Sequence, residues 1–154
     1  MVREQVGDED PRVIIAQCTD SKREGTHAAR DLYDESLYFQ RQREYAEAVA
    51  DEWFIQSALY GLLHPDDVVD SYNKHAKDVD DATAWAAEIA EDLAGAIPDT
   101  AVVEVLGGKR YADPLTPELE ARSFEVHEPL RGQRIGTRRK SLKEMANTKL
   151  EGFA

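Results

Sequence analysis

The sequence predicts a single α/β domain over residues 1–154, built in three layers. A short, mostly parallel sheet of about four strands is flanked by helices. Three observations carry this reading. Short, β-branched apolar runs alternate along the chain with longer amphipathic stretches. The connections between the runs are long enough to hold a crossover helix, which parallel pairing requires. The chain, at 154 residues, is large enough for one real core and short for two.

The elements follow in order. Residues 1–10 are acidic and polar and are expected to be disordered. RVIIAQ (12–17) is continuously apolar between its ends and reads as a buried strand. SLYFQRQREYAEAVA (36–50) reads as a helix capped by Ser36, with Tyr38, Tyr45 and Val49 on one side. EWFIQSA (52–58) is a second strand. DATAWAAEIAEDLAGAI (81–97) is the clearest helix: Ala82, Trp85, Ala86, Ile89, Leu93, Ala96 and Ile97 keep an i, i+3, i+4 stripe. Asp80 or Asp81 caps it and Pro98 closes it. AVVEVLGG (101–108) is a third strand, followed by a helical turn, and SFEVHEP (123–129) is a weaker fourth. Residues 137–154 form a C-terminal helical tail, with Leu142, Met145, Ala146 and Leu150 on one face.

Composition sets the function classes. No apolar run approaches the length of a membrane span, and MVREQVGDEDP has no secretory h-region. A single cysteine excludes an internal disulfide and fits a cytoplasmic setting. The four histidines are scattered, there is no CxxC, and neither a metal nor a cofactor is expected. The formal net charge is -12 and is unevenly spread. Residues 1–108 hold 9 Lys/Arg against 24 Asp/Glu, whereas 109–154 hold 10 against 7. The acidic body, rich in Asp and poor in Lys, is the composition of a halophilic protein. LRGQRIGTRRKSLK (130–143) has six basic residues and no acidic one. It is either a counterweight to the acidic body or a surface for phosphate or nucleic acid.

In a parallel α/β sheet, ligands sit outside the carboxyl ends of the strands. Each strand here is followed by a loop of turn residues, hydroxyls and cations: CTDSKREG (18–25), SALYGLLHPDD (57–67), GGKRYADPL (107–115) and EPLRGQRIG (128–136). Glycine in such loops permits close approach of a ligand to the backbone. A pocket at that edge is therefore expected.

These stretches, together with ARDLYDESLYF and VVDSYN, resemble an uncharacterised domain family grouped with YaaA-like proteins, over roughly residues 12–142. Cys18 with Ser21 and Lys22, followed by DLYDESLYF, is also similar to the uracil-DNA-glycosylase-like domain of archaeosine-forming tRNA enzymes. Those proteins carry a proline before the cysteine and Lys-Pro-Tyr after the serine. Here Gln17 and Lys22-Arg23-Glu24 stand instead. The resemblance implies a compact α/β domain associated with nucleobase or nucleic-acid modification.

The residues themselves offer the following chemistry. Cys18 is a nucleophile near Lys22 or a small buried residue ending a strand. Ser21 is a second catalytic candidate, and its hydroxyl with the Lys22 ammonium suits a phosphate or carboxylate. Asp66 is the general-base candidate. Ser57, Tyr60 and Gly61 form one wall of the expected site, and Gly107, Gly108, Lys109, Arg110 and Tyr111 another. Tyr60, Tyr72 and Tyr111 are either bases' stacking partners or core residues with a hydroxyl at the rim. Arg131 and Gly132 complete the binding set. GGKR lacks the GxxxxGK[ST] spacing, so it is no P-loop. The expected function is an enzyme directed at a nucleotide or nucleobase, of glycosylase or base-transferase type. The alternative is a non-catalytic nucleic-acid-binding module that uses 130–143. Neither needs a membrane, and the oligomeric state is open.

Overall fold

The structure is a computed structural model and describes residues 10–151. The expectation for the N-terminus therefore lies, except for Asp10, outside the described residues, as does the side chain of Leu150. Seven strands and five α-helices are described. They are β1 (Arg12–Gln17), β2 (Thr26–Ala28), α1 (Ala29–Leu32), α2 (Leu37–Val49), β3 (Glu52–Ser57), β4 (Gly61–Leu63) and β5 (Val68–Asp70), then a 3-10 turn (Ala76–Asp78). After it come α3 (Ala82–Ala96), β6 (Val102–Val105), α4 (Lys109–Ala121), β7 (Glu125–His127) and α5 (Ile135–Glu151).

The main sheet has the order β4-β3-β1-β6-β7. β1 pairs in parallel with β3 and β6, and β6 in parallel with β7. The fifth strand, β4, folds back antiparallel on β3 through the tight turn at Gly61, whose φ is +75°. At three residues it is too short to show a period, which is why GLL reads as loop. The same holds for β2 and β5, which pair antiparallel in a separate two-stranded sheet. From β1 the chain steps to β3 on one side, then crosses over to β6 on the other. The carboxyl ends of β1 and β6 thus flank the topological switch point of the sheet.

Strand alternation splits the core between the two faces. Val13, Ile15, Val103 and Val105 pack with Ile89 and Leu93 of α3 and Leu115 and Leu119 of α4. Ile14 and Leu106 pack on the opposite face with Tyr38 and Tyr45 of α2 and Leu142 and Ala146 of α5. The stripe expected on α3 is buried at Ala86, Ile89 and Leu93, joined by Ala90, while Ala82 and Ala96 at its ends are exposed. The cap is Asp81, whose carboxylate accepts from Ala84 N–H at 3.0 Å. Ser36 caps α2 by accepting from Phe39 N–H.

One reading of the sequence is corrected. The helical turn after the third strand is a 13-residue helix, α4. Pro114 and Pro117 lie inside it, and each removes a helical donor, which masks the pattern. Its buried stripe of Tyr111, Ala112, Leu115 and Leu119 stabilises it against that cost. The helix expected in the C-terminal segment is α5, which starts at Ile135, and Leu142 is fully buried against α2.

Candidate functional site

At the switch point the end of β1 is fixed from two sides. Gln17 N–H donates to the side chain of buried Gln42 at 2.7 Å, and Gln42 Nε2 donates back to the Gln17 carbonyl at 3.2 Å. The Gln17 side chain, pointing across the gap, accepts from Gly108 N–H at 2.9 Å. This ties the end of β1 to the start of α4. Both glycines of the pair have close neighbours. A Cβ on Gly107 would lie 2.6 Å from Tyr111 Cβ, and one on Gly108 would lie 2.7 Å from Arg138 Nη1.

Beside this junction opens a hollow of about 240 Å³. Thr19, Asp20 and Ser21 from the loop after β1 form one wall. Ser36 and Tyr38 at the start of α2, and Ile135 at the start of α5, form the other. Three helices thus begin around one edge of the sheet: α2 and α5 at the hollow, α4 at its junction with Gln17. Helix N-termini carry partial positive charge and unbonded N–H groups.

Arg138 adds a full charge. Its guanidinium lies against Gly108, and its Nε is buried without a hydrogen-bond partner among the described residues. Burial raises the pKa of the Tyr38 hydroxyl, and the neighbouring Arg138 opposes that rise without cancelling it. Tyr38 donates to the Leu106 carbonyl at 3.1 Å. A cation in the opening turns of a helix is electrostatically unfavourable unless an anion faces it. The hollow therefore has the makings of an anion seat. Asp20 is the one carboxylate on its wall, and His75 Nδ1 holds Asp20 Oδ1 at 2.5 Å.

The expected site residues divide among four places. Ser21 lines the hollow; Gly107 and Gly108 do not line it but adjoin Gln17, which does.

Cys18, Ser57, Tyr60, Gly61 and Tyr111 lie at the same edge but build a separate cluster. Cys18 is 2% exposed, and its Sγ shares a hydrogen bond of 3.2 Å with the Tyr111 hydroxyl. Of the two readings of Cys18, the geometry is that of the buried residue. Ser57 is fully buried and organises the β3–β4 hairpin by accepting from Leu59 and Tyr60 N–H. Its hydroxyl also meets that of Tyr72 at 2.8 Å, and Tyr72 meets Tyr33 at 2.8 Å. Lys22 sits 4.4 Å from the centroid of the Tyr72 ring rather than in the hollow. Tyr60 donates to the Asp70 carbonyl.

Lys109 and Arg110, in the first turn of α4, border a different groove of about 330 Å³ with Lys77, Val79 and Pro114. The remaining residues lie apart from these three. Asp66 pairs with Arg30 and is not brought to the hollow, because antiparallel β4 carries the chain back from the carboxyl edge. Arg131 is held by Glu128 and Asp113, and Gly132 (φ +82°) shapes the turn before α5.

Sequence reasoning missed Thr19, Asp20, Tyr38 and Ile135 as lining residues, and Arg138 as the cation beside Gly108. Ser36 was legible only as a cap. A larger hollow, about 450 Å³, lies at the opposite edge beside Arg12 and Tyr45. There the Arg12 charge is already matched by Glu104 at 2.7 Å. Among the described residues, no group of three His, Cys, Asp or Glu is placed to hold a metal ion, and no helix is long and apolar enough to cross a membrane.

The comparison with protein families decides the affiliation: residues 13–144 match a family of unknown function, DUF6884. The chain belongs to that family. The match runs from β1 into α5 and so takes in every element around the hollow. No curated protein and no solved structure matches the chain significantly.

Proposed function

We propose that this DUF6884 protein is a nucleotide- or nucleobase-directed enzyme of nucleic-acid modification or repair, of glycosylase or base-transferase type. The observation that carries the proposal is the hollow at the switch point, where α2 and α5 begin and where Gly107–Gly108 and Arg138 adjoin the lining residues Gln17 and Tyr38. The resemblance of the loop motifs to YaaA-like and uracil-DNA-glycosylase-like proteins points the same way.

In this reading one phosphate sits against Gly108 and the Arg138 guanidinium. The hydroxyls of Thr19, Ser21 and Ser36 hold sugar or base edges. Asp20, fixed by His75, is the carboxylate that orients or deprotonates the attacking nucleophile. At about 240 Å³ the hollow is below the usual range for a whole drug-sized ligand, and suits one phosphate with its sugar or base. Cys18 and Asp66 have no role in this scheme.

The test is calorimetric titration with nucleoside monophosphates, followed by mass spectrometry for free base released from oligonucleotides. Binding that is weakened at least tenfold by Arg138→Ala, and base release that is lost in Asp20→Asn, are the expected results. Absence of binding to every nucleotide overturns the proposal. The second reading, a non-catalytic module working through 130–143, is favoured by Arg134, Lys140 and Lys143, which stand exposed. Oligonucleotide binding with no base release would select it.

A further inference from the structure

We infer that the polymer addressed by this site is a single-stranded nucleic acid, whose backbone crosses the carboxyl edge of the sheet on a track of unpaired cations. The inference rests on the reading of the hollow as nucleotide-directed and names its substrate class.

The first observation is a segregation of charge. The arginines of residues 12–43, with Arg122 and Arg131, are all held by carboxylates. Among the described residues no ion pair engages a lysine, nor Arg110, Arg134, Arg138 or Arg139. Apart from Lys74 and Lys143, the unpaired cations lie toward one edge. Lys22 is in the loop leaving β1, and Lys77 is in the 3-10 turn before α3. Lys109 and Arg110 open α4; Arg134, Arg138, Arg139 and Lys140 open α5. In a chain of net charge -12, carboxylate partners are in excess, yet these cations stand without them.

The carboxylates of that edge are mostly engaged. Asp20 is bridged to His75, Asp78 accepts from His75 N–H, and Asp81 caps α3. Asp113 and Glu128 hold Arg131. Glu35 and Asp80 are exposed.

The second observation is independent of charge. Four of the five exposed large hydrophobics, Leu37, Leu59, Tyr60 and Ile135, lie on the same edge. Ile135, 52% exposed, lines the hollow, and Leu37 follows Ser36 on its other wall. Tyr60 is at the tip of the β3–β4 hairpin and is braced edge-on by Tyr72. A duplex hides the faces of its bases, whereas a single strand presents them, and apolar or aromatic side chains interleaved with cations are what recognises them. A free nucleotide would need no more than the Arg138 seat.

The test uses the full chain and defined probes. A labelled 12-nucleotide oligouridylate and oligothymidylate, the corresponding duplexes, and uridine and thymidine monophosphates are titrated at several salt concentrations. The inference predicts that an oligonucleotide binds at least tenfold more tightly than its monophosphate and more tightly than the duplex. Engagement of about three phosphates would give a log–log salt slope near roughly -2. Arg134→Glu combined with Lys140→Glu, checked by circular dichroism for an intact fold, should flatten that slope and weaken the oligonucleotide more than the monophosphate. If monophosphates bind and oligonucleotides bind no better, the track is wrong and the reading of the hollow stands. Duplex binding equal to or tighter than single strand also overturns the inference. If neither monophosphate nor oligonucleotide binds, the reading beneath it falls as well.

Discussion

Two adjacent glycines separate structure from recognition. Gly107 faces Tyr111 Cβ, an atom fixed to the α4 backbone, so an added methyl group cannot be accommodated without moving the helix start. Gly107→Ala is therefore expected to destabilise the fold by about 1–3 kcal/mol, the usual cost of overpacking. Gly108 faces the far end of the Arg138 side chain, which can swing away. Its φ of -72° suits any residue, so Gly108→Ala should leave the melting temperature within a few degrees while displacing the guanidinium from the seat. Thermal melts and nucleotide titration of the two variants, side by side, check this. Equal stability losses with equal affinity would show that Arg138 has no special position. At this scale the sequence was readable only in part. Ser21, Gly107 and Gly108 directly follow apolar runs, so their place at the carboxyl edge follows from the alternation of strands and helices. Arg138 and Tyr38 reach the same place from the first turns of helices far away in the chain, and no spacing in the sequence announces that.

The elements that could be read are the long ones. β1, α2, β3 and α3 have enough residues to display a period, and Ser36 and Asp81 mark their helix starts. The three-residue strands β2, β4 and β5 have no period to display, and two internal prolines disguise α4. The C-terminal helix was legible from its stripe of Leu142, Met145 and Ala146, and α5 begins two residues earlier than the expected segment, at Ile135. Leu142 is fully buried between α5, α2 and the sheet, which gives a direct check. Leu142→Ala should cost about 2–5 kcal/mol, the usual range for a buried leucine. A denaturant midpoint unchanged by this substitution would mean that α5 does not form part of the folded layer. The same helix carries Ile135 to the hollow and Arg138 to its place beside Gly108.

Across the whole molecule, burial of tyrosine and segregation of charge give two further handles. Burial, and then the proximity of Cys18, raise the pKa of Tyr72 and Tyr111 well above the ordinary tyrosine value; burial does the same for Tyr33 and Tyr45. The folded state therefore keeps protons that the unfolded chain releases near about pH 10. Their contribution to stability is intact below that pH and is lost as pH rises above it. Phenolate absorbance followed together with far-ultraviolet circular dichroism should show most tyrosines ionising only as helix signal is lost. Full phenolate formation in a folded chain would contradict the buried network. The proposal places the functional face at the carboxyl edge, and one measurement addresses that directly: amide chemical-shift mapping by nuclear magnetic resonance during titration with a nucleoside monophosphate. The account predicts saturable shifts at Thr19, Ser21, Ser36, Gly107 and Gly108. Shifts confined to the opposite edge around Arg12 and Tyr45, or none at any nucleotide concentration, would contradict it.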